Sequence, residues 1–199
     1  MSSVITSGCI MSKSIEILPD WEHLLTAAAH LQRILPDAVL VGGTASAIHA
    51  KHRLSRDADH VLADLKDRFN EVLAQLESIA GWKTARSRPP VLIPGSLDGI
   101  ETGVRQLIRS EPLETTSVVY RDQEITIPTD SEILRIKGIL ILKRNATRDY
   151  IDFAALANHL GEEKVGTALV SFDRLYPQDS GQSALPKKAR KAPSFRAGI

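Results

Sequence analysis

Ala38-Val39-Leu40-Val41-Gly42-Gly43-Thr44 and Arg53-Leu54-Ser55-Arg56-Asp57-Ala58-Asp59 are the two stretches on which the reading of this chain turns. The first is a short apolar run that meets a glycine pair. It predicts a buried strand entering a tight turn. The Ala-rich segment Thr44–Lys51 then reads as a helix. In the second stretch, Asp57 and Asp59 are two residues apart at the head of a strand, Asp57–Ala63. Side chains at i and i+2 share one face of a strand, so the two carboxylates converge. Apolar Val61 and Leu62 follow them, as in a strand that runs from a polar rim into a core.

On the N-terminal side, Trp21, Leu24, Leu25, Ala28, Leu31 and Leu35 recur at helical spacing. They predict a helix over 20–34 with Asp20 as its cap, preceded by a short extended entry at 14–19. On the C-terminal side, Asp64 caps an amphipathic helix over 65–79. Two or three strands are expected at 82–86, 91–93 and 100–108. A hairpin is expected from 118–120 and 125–127 around Arg121-Asp122-Gln123. From Asp130 the pattern turns helical, over about 130–143, 148–160 and 162–175.

Composition bounds the class. The 199 residues, 43% hydrophobic and 25% charged, suit a globule with a real core. Cys9 is the single cysteine, which excludes an internal disulfide and a cysteine-based zinc cluster. No apolar run approaches the roughly 18 residues of a membrane span, and the start shows no signal peptide, so a cytoplasmic protein without membrane partners is expected. Aromatics are only 5%, which argues against base stacking as the main mode of binding. The tail beyond Pro177 carries Lys187, Lys188, Arg190, Lys191 and Arg196 against Asp179 alone. Disorder is the expectation there, with nonspecific attraction to nucleic acid as the alternative.

Four features carry chemistry. Gly42-Gly43-Thr44 opens a helix, where free amides favour phosphate, although glycine turns of this kind are also common without a ligand. Asp57 and Asp59 repel one another and invite a hard cation such as Mg²⁺ or Mn²⁺; two solvated rim aspartates are the alternative. Lys137 stands among Ile133, Leu134, Ile136, Ile139 and Leu140, either snorkelling or aimed inward at phosphate. Arg144 and Arg148 precede Asp149 and Asp152, which share a helix face; a loop and helix-cap network of ion pairs among Arg144, Arg148 and Asp149 is the alternative. His49, His52 and His60 lack a regularly spaced third soft ligand. Neither a G-x-S-x-G elbow nor a G-x-x-x-x-G-K-[ST] loop occurs.

Taken together, the order Gly42-Gly43-Thr44-Ala45, Arg53-x-Ser55-x-Asp57-x-Asp59, Lys137, Arg144, Asp149-x-x-Asp152 resembles the AbiEii/AbiGii toxin family of the DNA polymerase β-like nucleotidyltransferase superfamily. The arginine follows the lysine by seven residues and the acid pair begins five residues later, in agreement with that pattern. The resemblance implies an α+β fold, a nucleotidyltransferase-like mixed sheet flanked by helices with a C-terminal helical subdomain. The expected division is a flexible 1–13, a core at 14–128, helices at 129–176 and a basic tail at 177–199.

By the same resemblance, Asp57 and Asp59 bind Mg²⁺ or Mn²⁺, and Gly42, Gly43 and Thr44 hold the phosphates of an NTP substrate. Arg53 and Ser55 shape the metal loop, Lys137 contacts the triphosphate, and Asp149 is a further catalytic acid. The superfamily often adds a third carboxylate on a later strand. In that register this chain has Arg105, with Glu101 on the same parity and Asp98 in the preceding turn as substitutes. The implied reaction transfers a nucleotide to an RNA, tRNA or protein acceptor. The implied context is a toxin with a cognate antitoxin, or a phage-defence protein. A catalytically degenerate module that binds nucleotide, RNA or protein is the alternative.

Overall fold

The structure, a computed structural model, describes residues 21–177. The expected entry at 14–19, the Asp20 cap, the flexible 1–13 and the tail beyond Pro177 lie outside the described residues. Helix α1 (Glu22–Ile34) leads through β1 (Val39–Leu40) into α2 (Gly42–Ala50), β2 (Asp57–Leu62) and α3 (Phe69–Glu77). Strands β3 (Trp82–Thr84), β4 (Leu92–Leu97) and β5 (Ile100–Gln106) complete a mixed sheet of order β1-β2-β5-β4-β3. Within it β2 and β5 run parallel and the other neighbours antiparallel.

The two faces of this sheet have different fates. Leu62, Ile93, Leu97 and Val104 point to one side and pack with Leu31, Leu65, Phe69, Val72 and Leu76 of α1, α3 and the loop between β2 and α3. Burial of this apolar face is the main force holding the sheet to its helices. The alternate residues, Asp57, Asp59, Glu101 and Arg105, are then left on the opposite face. Strand periodicity therefore sorts core from site along the same strands.

Strands β6 (Thr115–Tyr120) and β7 (Gln123–Pro128) form a separate hairpin. Its turn residues Arg121 and Asp122 have φ of 45° and 61°, the two-residue geometry whose twist suits a hairpin. The hairpin is tied to α1 by Gln32. That side chain accepts from the Thr126 amide at 2.8 Å and donates to the Thr126 carbonyl at 2.9 Å.

Helices α4 (Asp130–Arg144), α5 (Thr147–Leu160), α6 (Glu162–Val170) and α7 (Phe172–Leu175) follow. Thr129 caps α4 by accepting from the Glu132 amide at 3.1 Å. Ala45 of α2 packs with Ile133, Leu134, Leu156, Leu160 and Ala168, so the C-terminal helices rest directly on α2.

Several boundaries differ from expectation: α2 begins at Gly42, β4 extends to Leu97 and the hairpin strands are longer, and two further differences have a local cause. The helix expected from 65 begins at Phe69, because the Asp64 carbonyl closes a turn with the amides of Asp67 and Arg68, and Arg68 pairs with the Asp64 carboxylate at 2.8 Å. The helix expected over 162–175 breaks at Ser171. The break lets Phe172 turn inward onto Ile139, Leu175 and Tyr176. No helix among the described residues is long and apolar enough to cross a membrane.

Candidate active site

The floor of the site is the parallel pair β2–β5. Its register sets Asp57 opposite Glu101, Asp59 opposite Gly103 and Val61 opposite Arg105. Ser55 donates to Asp57 Oδ1 at 2.8 Å and so fixes that carboxylate. Burial, and then the neighbouring Asp57 charge, push the Asp59 carboxyl above its usual range. A strained anion of this kind is what a bound cation relieves.

Above this floor stands the start of α2. The Val41 amide donates to the Asp59 carbonyl at 2.8 Å, which holds the helix start against the acidic strand. Gly42 takes a left-handed φ of 74°, and a methyl group built on it would lie 3.8 Å from the Asp59 Cβ. No side chain caps α2, so its first amides are uncommitted donors at the positive end of the helix. Gly43 lets the Arg53 guanidinium lie close against the helix start, because a Cβ there would come within 2.4 Å of Arg53 Nη2 and displace it.

Thr44, expected to hold phosphate, does not reach the site. It is fully buried, and its hydroxyl donates to the Asp57 carbonyl at 2.5 Å. Its contribution is to fasten α2 to β2.

The second pair of acids has a different environment. Asp152 accepts from His52 Nε2 at 2.8 Å, from Arg53 Nε at 2.7 Å and Nη2 at 3.0 Å, and from Lys137 Nζ at 2.7 Å. Asp149 accepts from Arg144 at 2.6 and 2.8 Å and from Lys137 at 3.3 Å. Both acids are wholly buried. Burial alone would raise their carboxyl pKa values, but the Arg53, Lys137 and His52 bonds bring Asp152 down to about 2. Asp149 is likewise held below the usual range against the effect of burial, by Arg144 and Lys137. The hydrogen bonds that Arg53 donates to Asp152 in turn raise the guanidinium pKa. This network joins α4, α5 and the loop between α2 and β2.

One cavity of about 550 Å³ gathers most of the expected residues. Gly42, Gly43, Arg53, Ser55, Asp57, Asp59, Glu101, Lys137 and Arg144 all line it. Thr44, Asp149, Asp152 and Asp98 are absent from its wall. Asp98 instead sits in the β4–β5 turn, against Gly81. The wall also carries Arg56, Arg105, Lys143 and Arg148, with apolar Val61, Ile136, Ile139 and Leu140. Of these cations, Arg105 was visible in the sequence through its parity with the acids. Arg56, Lys143 and Arg148 carry no spacing signal of their own.

The donor set suits one hard cation. Two carboxylates offer oxygen ligands, and water and substrate phosphate would complete the shell. Glu101 faces the same cavity, yet among the described residues no group of three or more His, Cys, Asp or Glu is arranged to hold a metal.

The solved structures supply the comparison. The antibiotic-resistance factor ANT(2'')-Ia superposes with a TM-score of 0.57 at 13% identity, over 77% of this chain and 91% of that one. The fold is that of the nucleotidyltransferases. An antigenic nucleotidyltransferase-like protein from Paracoccidioides brasiliensis has the same fold, with a TM-score of 0.51 at 17% identity over 86% of this chain and 93% of that one. No family model matches the chain.

Curated sequences are matched over part of the chain only. A stretch of 69 residues, 34% of the chain, is 42% identical to the heme uptake protein MmpL11 of Mycobacterium tuberculosis. A stretch of 102 residues, 51% of the chain, is 35% identical to the mycolic acid-containing lipids exporter MmpL11 of Mycolicibacterium smegmatis. The chain spans about 7% and 10% of the lengths of these relatives. Within its nucleotidyltransferase fold, the glycine turn, the acidic strand and the lysine-bearing helix all meet at one cleft.

Proposed function

We propose that the protein is a metal-dependent nucleotidyltransferase that moves a nucleotide from an NTP onto an RNA, tRNA or protein acceptor. The observation that carries this reading is the single cavity in which the uncapped start of α2 faces Asp57 and Asp59. The pattern Gly42-Gly43, Arg53-x-Ser55-x-Asp57-x-Asp59, Lys137 supports membership of the AbiEii/AbiGii group. A toxin paired with an antitoxin, or a phage-defence protein, is the role we assign on that basis. We also assign 14–128 to the catalytic core and 129–176 to a helical subdomain.

In this reading the amides of Gly42 and Gly43 hold phosphate oxygens at the positive end of α2. Asp57 and Asp59 hold Mg²⁺ or Mn²⁺. The ion would screen the charge that develops on phosphate oxygens. Lys137 spends two of its three N–H donors on Asp149 and Asp152, which leaves one for a phosphate. An acceptor hydroxyl attacks the α-phosphorus in line and pyrophosphate leaves. Asp149 acts as a positioning residue, since it is buried away from the cavity wall and accepts three hydrogen bonds from Arg144 and Lys137.

The test is to incubate the purified protein with labelled NTPs, Mg²⁺ and either total RNA or a protein extract. Label enters one acceptor class with the wild type and falls at least about 100-fold with Asp57→Ala. Equal labelling by the two proteins defeats the reading. A second reading, nucleotide binding without chemistry, draws on the absence of a third clustered acid. It predicts NTP and Mg²⁺ binding with no transfer to any acceptor.

A further inference from the structure

The strand beside Asp57 and Asp59 decides how many cations the cleft takes. Directly across from Asp59 on β5 stands Gly103, which offers no ligand. One step along the same face toward the strand start is Glu101, opposite Asp57, and one step the other way is Arg105, opposite Val61. The acidic pair is thus flanked by one carboxylate and one guanidinium, not by a third and fourth acid. Arg105 lines the cavity, and among the described residues it has no ion pair within 4 Å. The other arginines and the lysine at the back of the cleft, Arg53, Arg144 and Lys137, are committed to Asp149 and Asp152.

We propose that Arg105 stands in for a second metal ion, so that the cleft holds a single divalent cation on Asp57 and Asp59 while the guanidinium bonds the phosphates of the bound NTP directly. This rests on the nucleotidyltransferase reading above. The physical basis is charge and reach. A second divalent ion beside Asp59 would lie next to a fixed positive charge, without the carboxylate needed to offset it. A guanidinium presents a planar fork of donors that matches two phosphoryl oxygens and stays charged at every working pH. Gly103 leaves the space between Arg105 and Asp59 free of a side chain. Arg148, on the same cavity wall, adds a second positive charge felt by Asp59.

The experiment counts Mn²⁺ by the paramagnetic resonance of the free ion, with the full chain saturated by a non-hydrolysable NTP analogue. One Mn²⁺ per chain is expected for the wild type. Arg105→Asp, which supplies the missing acid, is expected to hold two. Arg105→Ala is expected to hold one and to bind the analogue at least about tenfold more weakly, since it loses charge-assisted bonds to phosphate. Its thermal unfolding is expected to match wild type because Arg105 is exposed.

Two ions on the wild type, unchanged analogue affinity in Arg105→Ala, or a single ion on Arg105→Asp would each overturn the assignment. If the wild type binds analogue and two ions, this inference fails and the nucleotidyltransferase reading stands. If it binds neither analogue nor Mn²⁺, both fall together.

Discussion

Two pairs of aspartates sit within one small molecule and behave as opposites. Asp57 and Asp59 project from a strand onto a cavity wall, with a serine hydroxyl as the nearest fixed donor. Asp149 and Asp152 project from a helix into a dry interior where one imidazole, two guanidiniums and an ammonium converge on them. The residue type is the same and the environment decides the role. The first pair lines the cavity, and burial and the Asp57 charge raise the Asp59 carboxyl above its usual range. The second is satisfied and closed. The comparison teaches that a candidate reactive site is to be sought at the pair whose charge the fold leaves uncompensated.

The sharpest way to break this contrast is Asp152→Asn. It leaves Lys137, Arg53 and His52 in the interior with their shared counter-charge gone. A loss of about 3–5 kcal/mol is expected, as for other buried pairs stripped of one partner. Urea unfolding of the purified variant measures it, and a loss below about 1 kcal/mol would remove Asp152 from its structural role.

The next effect lies on the back of the acidic strand. His60 is fully buried, and burial pushes its imidazole down to about 4. An unfolded chain takes up that proton near pH 6.5, so between about pH 6.5 and 4 the unfolded state binds more protons than the folded one. Stability should therefore fall as pH drops through this window, by about 3 kcal/mol in all. Below it, Asp152 adds a further loss as pH falls from about 4 toward 2. Denaturant midpoints at pH 7, 5.5 and 4.5 for the wild type and His60→Leu test the first window. A slope that persists unchanged in His60→Leu assigns it to other groups.

The smallest effect has the opposite sign to the first. The Asp59 carboxyl is raised by burial and by Asp57, so its charge destabilises the folded chain at neutral pH. Asp59→Asn should be more stable than the wild type at pH 7, and the difference should shrink as pH falls and the native carboxyl takes up its proton. Thermal unfolding at pH 7 and at an acid pH decides it. A variant less stable than wild type at pH 7 would mean that the two acid pairs are alike after all.

The contrast also separates what the sequence makes legible from what it does not. Local chemistry was readable. The Gly42-Gly43 turn, the alternating acids of β2 and the Arg121-Asp122 hairpin all follow from residues a few positions apart, and the structure contains each of them. The parity of Glu101 and Arg105 was readable for the same reason. A structural ion-pair role for Asp149 with Arg144 was readable as an alternative, but the distant partners of Asp152 were not. The helical spacing of the two acids places them on one face, but the partners that silence Asp152 lie 99 and 100 residues away in the chain, at Arg53 and His52. The Thr44 side chain was hidden for a related reason. Its position beside two glycines says nothing of the Asp57 carbonyl that takes its hydroxyl. The start of α3 was masked by the Asp64–Arg68 pair, which closes a turn where helical periodicity alone continues.

The empty space at Gly43 has a reach well beyond its own size. The Arg53 guanidinium that fills it is the same one that clasps Asp152. Position 43 is therefore a keyhole shared by the start of α2 and, through Arg53 and Asp152, by α5. Even a single methyl there would meet the arginine that holds both, so a library of variants should leave that position alone and search the outer wall of the cleft.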